Sequence, residues 1–170
     1  MCSSDLMVMS AHREENIDIP EKFNSLFPAL NQIADDYKMP VIFSVHPRTR
    51  KKLEQNGFKL SPYIREEKPF GFFEYLKLQE NAFCVLSDSG TLTEESSILN
   101  FPAVLIRNST ERQEGVITGS IFLGGVNFPQ IGEALRKSRI AHDGLKKLIV
   151  PDYDKKDVSF EIVRIIQPIF

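Results

Sequence analysis

The sequence is poor in the features that mark special environments. Only two cysteines occur in 170 residues, Cys2 near the start and Cys84 inside an apolar run. They form no disulfide framework and lack metal-ligand spacing, so neither a stapled secreted scaffold nor a cysteine-held metal is expected. An excess of basic charge is also missing. With 21 Lys and Arg against 23 Asp and Glu the formal net charge is -2, which leaves nothing to hold a polyanion non-specifically and argues against a nucleic-acid partner. Long hydrophobic runs are absent too: the opening MCSSDLMVMS has an apolar stretch of only Leu6 to Met9 and no basic leader. Neither a signal peptide nor a membrane partner is therefore expected, and a reducing cytoplasm is the expected setting. The chain contains no internal repeat and no low-complexity segment, and its length fits one domain with a real hydrophobic core.

What is present alternates between short apolar runs and amphipathic stretches. LMVMSAH (6 to 12) and PVIFSVH (40 to 46) are continuous apolar runs ending in polar residues, the pattern of parallel strands buried on both faces. Between them Phe23, Leu26, Phe27, Leu30, Ile33, Ala34 and Tyr37 recur at spacings of three and four, one apolar stripe of a helix. The result is a βαβ unit. A basic helix stopped by Gly57 follows, then a weak strand near Phe58 to Leu60, a short helix in FFEYLKLQENA, and the strand FCVLSD. Beyond it the spacing predicts a helix in TLTEESSILN, a strand in AVLIR, a helical turn in RQEGVIT and a last strand in SIFLGG. Two further helices, PQIGEALRKSRI and DVSFEIVRIIQPI, are separated by the polar PDYDKKD. The expected fold is α/β, a doubly wound, Rossmann-like parallel sheet with helices on both faces and strands near 6 to 11, 41 to 45, 83 to 87, 103 to 106 and 121 to 124.

Ligands of open parallel sheets sit beyond the carboxyl ends of the strands, and here those ends are polar. The runs exit into HREEN, HPRTR, SDSGT and NSTERQEG, which supply His12, Arg13, His46, Arg48, Ser89, Arg107, Glu111 and Arg112. Such a census suits an anionic ligand bearing hydroxyl groups, for instance a sugar nucleotide. In DSGTLTEE, Gly90 lets a phosphate approach the backbone, Ser89 and Thr91 offer hydroxyls, and the free N–H groups of the following helix favour negative charge. Glu95, one turn on, can accept from two vicinal hydroxyls as a ribose ligand does. The plainer account is that Asp88 or Ser89 caps the helix and Glu94 and Glu95 complement its dipole. Likewise His12 and His46 can be structural ends of strands, and the aromatic stripe Phe70, Phe72, Phe73 and Tyr75 reads first as core, with one ring free to stack on a nucleobase.

Taken in order, SAHREEN, VHPRTR, DSGTLTEESSILNFPAVLIR and STERQEGV resemble the UDP-N-acetylglucosamine 2-epimerase family, and the resemblance covers nearly the whole chain. It implies one half of a two-domain, glycosyltransferase-B-like fold, residues 1 to 170 being the carboxyl-terminal, UDP-binding domain. An amino-terminal partner domain is then expected before Met1, so that the chain would be a fragment. The implied reaction interconverts UDP-GlcNAc and UDP-ManNAc by anti elimination of UDP to a 2-acetamidoglucal and re-addition, with no redox cofactor and no metal. Surface polysaccharide biosynthesis is the implied context. By the same resemblance His12 is the catalytic histidine and Ser89, Gly90 and Thr91 form the phosphate loop. Glu95 is the ribose ligand, Arg112 grips the diphosphate, and Tyr75 lies near the uracil. Arg13 and His46 match positions that in some bacterial members touch a second, activating UDP-GlcNAc, and the full protein is expected to be a homodimer.

Two departures from the family pattern, Thr91 in place of a second glycine and Gln113 in place of a proline, leave open a related UDP-N-acetylhexosamine as substrate. Two other functions compete. One is a glycosyltransferase of the same architecture, in which two acids seven residues apart would be expected in the nucleotide loop where this chain has the adjacent Glu94 and Glu95. The other is a UDP-binding module without turnover, because the carboxylates that move the C2 proton are expected in the other half.

Overall fold

The computed structural model describes residues 5–144 and 148–167. Six strands, β1 (Met7–Ser10), β2 (Val41–Ser44), β3 (Ile64–Glu67), β4 (Val85–Ser87), β5 (Ala103–Leu105) and β6 (Phe122–Leu123), form one sheet in the order β3-β2-β1-β4-β5-β6. Every neighbouring pair runs parallel, so all five expected strands are found with the expected direction.

Strand alternation divides the core into two layers. Met7 and Met9 of β1 and Val41 and Phe43 of β2 face one side, where they meet Phe23, Leu26, Phe27, Leu30 and Ile33 of α2 (Pro20–Tyr37) and Ile131 and Leu135 of α7 (Phe128–Gly144). Val8, Val85, Ala103 and Leu105 face the other side, against Leu92 of α5 (Leu92–Leu99), Phe101 and Ile121. Leu78 and the ring of Tyr75, both on α4 (Phe72–Glu80), pack at the margin of that second layer. Each large apolar side chain buried this way is worth about 1.5–3 kcal/mol, which is why period-two strands and the period-3.6 stripe of α2 lock together. Further helices are α1 (Glu14–Ile17), α3 (Pro47–Gln55), α6 (Gln113–Thr118) and α8 (Val158–Ile166).

Two expectations need correction. Residues 58 to 60 are not a strand: Phe58 and Leu60 pack on the core from a loop, and β3 lies further on, in the charged stretch Ile64–Glu67. An edge strand pairs on one side only and needs few apolar residues, so IREE, with Ile64 alone buried, carries no strand signal. HREEN, after β1, does not stay in a loop but runs into the single helical turn α1. Nor is the aromatic stripe of α4 wholly core, since Phe72 and Phe73 are exposed. The helix expected over 157 to 169 is present as α8 with no buried residue; Pro168, Ile169 and Phe170 lie outside the described residues.

The strand order fixes where a ligand can sit. From β1 the chain winds outward to β2 and β3, then returns to place β4 against the other side of β1 and winds outward again to β5 and β6. The connections leaving β1 and β4 therefore cross to opposite faces and part above the sheet, which opens a crevice at their carboxyl ends.

Candidate nucleotide site

Ser10 ends β1 and Ser87 ends β4, and their hydroxyls meet at 2.7 Å. Beyond this pair the chain parts into the His12 loop and the Asp88-Ser89-Gly90 turn. Asp88 is fully buried, and its carboxylate spans the crevice. Its oxygens accept from the N–H of His12 at 3.1 and 3.0 Å, from the N–H of Arg13 at 2.9 Å and from Nδ2 of Asn16 at 3.2 Å. Nδ1 of His12 also stands 3.2 Å from Asp88 Oδ1, with the imidazole about half exposed at the crevice mouth. The reading of Asp88 or Ser89 as cap of the following helix is thus corrected. Thr91 occupies the cap position of α5 and no side chain caps it, while Asp88 satisfies the start of α1 across the switch point instead. In the turn itself, the N–H of Ser89 donates to Ser87 Oγ at 3.0 Å and the hydroxyls of Ser89 and Thr91 lie 3.0 Å apart.

Glu94 and Glu95 do different things. Glu94 accepts from Nε of Arg112 at 2.5 Å, and this hydrogen bond, with the charge of Glu94, raises the pKa of the guanidinium. About a third of each side chain remains exposed, so the pair is worth little in stability. What it does is aim Arg112 at the turn: a Cβ on Gly90 would stand 2.8 Å from Arg112 Nη1. Glu95 accepts from Nε2 of the buried Gln79 at 2.7 Å, which holds one carboxylate oxygen and leaves the other free for a donor. Sequence reasoning missed Gln79, although it follows Tyr75 by one turn on α4 and therefore shares its face.

On the β2 side, Tyr75 donates its hydroxyl to Ser10 Oγ at 3.2 Å. Burial, partly opposed by that bond, pushes its pKa up to about 12. Its ring lies nearly parallel to Phe70, 19° between planes and 6.5 Å between centroids. Ser10, His12, His46, Phe70, Tyr75 and Ser89 line one open cleft. His46 caps α3, its Nδ1 accepting from the N–H of Arg48 at 3.3 Å. A neighbouring depression contains His12, Arg13, His46 and Arg48, and there Arg48 is paired with Glu14 and Asp18.

Arg107 and Glu111, both candidates from the strand-end census, are spent on structure. Arg107 is buried and clasps Glu111 at 3.1 Å and Glu15 at 3.6 Å, tying the end of β5 to α1. Hydrogen bonding from Arg107 holds the Glu111 carboxyl below its usual range. Among the described residues no group of three or more His, Cys, Asp or Glu side chains gathers where it could hold a metal ion, and no described helix is long and apolar enough to cross a membrane.

Residues 2–167 match the sequence profile of UDP-N-acetylglucosamine 2-epimerase. The chain belongs to the UDP-N-acetylglucosamine 2-epimerase family. It is 35% identical over 135 residues to the UDP-N-acetylglucosamine 2-epimerase of Methanocaldococcus jannaschii, an alignment covering 77% of this chain and 37% of that protein. It is also 34% identical over 139 residues to the UDP-2,3-diacetamido-2,3-dideoxy-D-glucuronate 2-epimerase of Pseudomonas aeruginosa, covering 81% of this chain and 38% of that protein. The fold superposes on the crystal structure of the M. jannaschii UDP-GlcNAc 2-epimerase in complex with UDP-GlcNAc and UDP with a TM-score of 0.85 and 30% identity, over 98% of this chain and 46% of that one. The chain thus spans less than half the length of the family members it matches.

Proposed function

We propose that this chain is the UDP-binding domain of an epimerase that interconverts UDP-GlcNAc and UDP-ManNAc, or a closely related UDP-N-acetylhexosamine pair, in the cytoplasm and for surface polysaccharide synthesis. The observation that carries the reading is the convergence at the β1–β4 switch point of a phosphate-type turn, a guanidinium aimed at its glycine, and a half-exposed histidine tied to the same turn. In this reading Ser89, Gly90, Thr91 and Arg112 receive the diphosphate. Glu95 takes the ribose hydroxyls with its free oxygen, and Phe70 with Tyr75 flanks the uracil. His12, at the cleft mouth, faces the phosphoryl oxygen on which charge develops as the C1–O bond breaks, and stabilises it there. No step of the elimination and re-addition needs a redox cofactor or a metal. Arg13 and His46 border the neighbouring depression, which suits a second nucleotide sugar acting as activator.

The base that removes the C2 proton belongs to an amino-terminal partner domain. Support for that division comes from three carboxylates of the crevice that each already hold a partner: Asp88 two backbone N–H groups, Glu94 the Arg112 guanidinium, and Glu95 the Gln79 amide, its second oxygen being left for the ribose. Exposed Val158, Ile162 and Ile165 of α8, at spacings of four and three, supply an apolar face suited to such a partner domain. The complete protein is proposed to be a homodimer. The engaged carboxylates also favour a second reading for the chain by itself, a UDP-binding module without turnover.

Titration of the chain with UDP, ADP and UDP-GlcNAc, followed by backbone amide shifts, tests the site. UDP and UDP-GlcNAc are expected to perturb residues 88 to 95 and 112, and ADP to bind more weakly. Exchange of the substrate's C2 hydrogen in deuterium oxide is expected only when the chain is part of a polypeptide carrying the partner domain. Absence of UDP binding, or shifts confined to other residues, would overturn the proposal.

A further inference from the structure

Arg13 is pinned to the Asp88-Ser89-Gly90 turn through its backbone, its N–H donating to Asp88 Oδ2 at 2.9 Å. Its side chain returns to the same turn. A Cβ on Gly90 would stand 3.7 Å from Arg13 Nη2 and 2.8 Å from Arg112 Nη1. Two guanidinium groups, one from the loop after β1 and one from the loop after β5, therefore flank the one residue of the turn that has no side chain. Arg112 has a carboxylate partner, Glu94. Arg13 makes no such contact: among the described residues no acidic oxygen lies within 4.0 Å of its guanidinium, and Glu111 feels its charge only from farther away.

Two like charges gathered at one residue repel each other, and for unit charges 4 Å apart the cost is about 1 kcal/mol even in bulk water. The fold nonetheless brings them to a common point, fixes the backbone of one with a buried carboxylate and the side chain of the other with Glu94. An anion seated above Gly90 turns that repulsion into a double attraction, and guanidinium forks match phosphoryl oxygens in geometry as well as charge.

We infer that Arg13 is a direct ligand of the terminal phosphoryl group of the substrate's diphosphate, acting with Arg112 across Gly90. This assignment rests on the reading of the turn as the diphosphate site, and it gives Arg13 a place in the first nucleotide site rather than only at the rim of the second. The two cations also act on the chemical step: as UDP departs, negative charge grows on the terminal phosphoryl group and both contacts strengthen.

The test is a comparison of UDP and UMP binding by wild type, Arg13→Gln, Arg13→Lys and Arg112→Gln, with Arg50→Gln, whose partner is Glu66, as the control for general loss of positive charge. Removing a charge-assisted contact of this kind is expected to weaken UDP roughly tenfold or more. UMP, which lacks the terminal phosphoryl group, should weaken by less than about threefold, and Arg13→Lys should recover part of the UDP loss because the point charge remains. Thermal melting of each variant shows whether the fold is intact. Unchanged UDP affinity in Arg13→Gln while Arg112→Gln loses UDP would overturn the inference and leave the reading of the turn standing. Equal losses of UDP and UMP would also overturn it, as would loss only of a second, weaker UDP-GlcNAc binding event. Failure of the wild-type chain to bind UDP would overturn both.

Discussion

His12 and Asp88, 76 residues apart in sequence, are joined twice at the carboxyl ends of adjacent strands: the His12 N–H donates to both oxygens of the buried carboxylate, at 3.1 and 3.0 Å, and the imidazole Nδ1 stands 3.2 Å from one of them. The turn proposed to hold the phosphates and the histidine proposed to act on them are thus one mechanical unit. Asp88→Asn replaces one acceptor oxygen by a donor that faces N–H groups. A loss of about 2–4 kcal/mol in urea unfolding is expected, from hydrogen bonds to a buried charge that become unsatisfied. UDP binding should weaken as well, and a neutral result in both measurements would show that the carboxylate does not organise the crevice.

His12 itself is half exposed and contributes little packing, so its removal should spare the fold. In the polypeptide that carries both domains, His12→Asn is expected to lower kcat roughly 100-fold, the scale of a lost transition-state contact of about 2.7 kcal/mol. UDP affinity should stay within a few-fold. Following both UDP-ManNAc formation and C2 deuterium exchange separates a chemical defect from slow product release, and near-normal exchange would reduce His12 to the structural end of a strand.

Gly90→Ala separates binding from folding. The added methyl would meet the tip of the Arg112 side chain at 2.8 Å, a flexible group that can swing aside at small cost to the fold. In doing so it leaves the turn. Melting temperature should change by no more than about 2 °C, within the range of a surface substitution, while UDP binding falls roughly tenfold with the displaced guanidinium.

Glu95 is expected to recognise the ribose through the oxygen that Gln79 does not occupy. Glu95→Ala should then weaken UDP much more than inorganic diphosphate. The loss should shrink with 2′-deoxy-UDP, since a coupling between two groups disappears when either is missing. Equal losses across the three ligands would show that Glu95 does not touch the sugar.

Cys84 is fully buried and its thiol is pushed up to about 12 by burial. The folded pKa lies above the unfolded one, so the unfolded chain releases this proton first and stability declines as pH rises from about 9 toward 12. In a Cys2→Ser background, a thiol reagent at pH 8 should label Cys84 only at the rate of unfolding. Urea titrations at pH 8 and pH 10 should show a drop of roughly 1 kcal/mol that Cys84→Ala lacks. Fast labelling of the folded chain would contradict the burial.

Periodicity carried much of this architecture, because apolar strands buried on both faces and a helix stripe at three and four leave a strong one-dimensional trace. LMVM, VIFS and the α2 stripe are legible for that reason, and β3 is not, since the edge strand IREE owes its place to pairing with β2 and hardly to burial. The site was legible in parts. Ser89, Gly90, Glu95 and Arg112 stand out because strand ends followed by polar turns are where parallel sheets bind ligands.

Composition and local pattern by themselves determined the class of fold, the strand ends that bear polar groups and, through four motifs in order, the family. Only the tertiary structure decided which strand ends meet. The order β3-β2-β1-β4-β5-β6 sets β4 against β1, and with it Asp88 against His12, Arg112 and Arg13 over Gly90, and Gln79 against Glu95. None of these pairings has a sequence spacing to betray it. Each depends on the side of the sheet to which the chain returns after β3, and that is settled by the fit of two apolar layers rather than by any short stretch of residues.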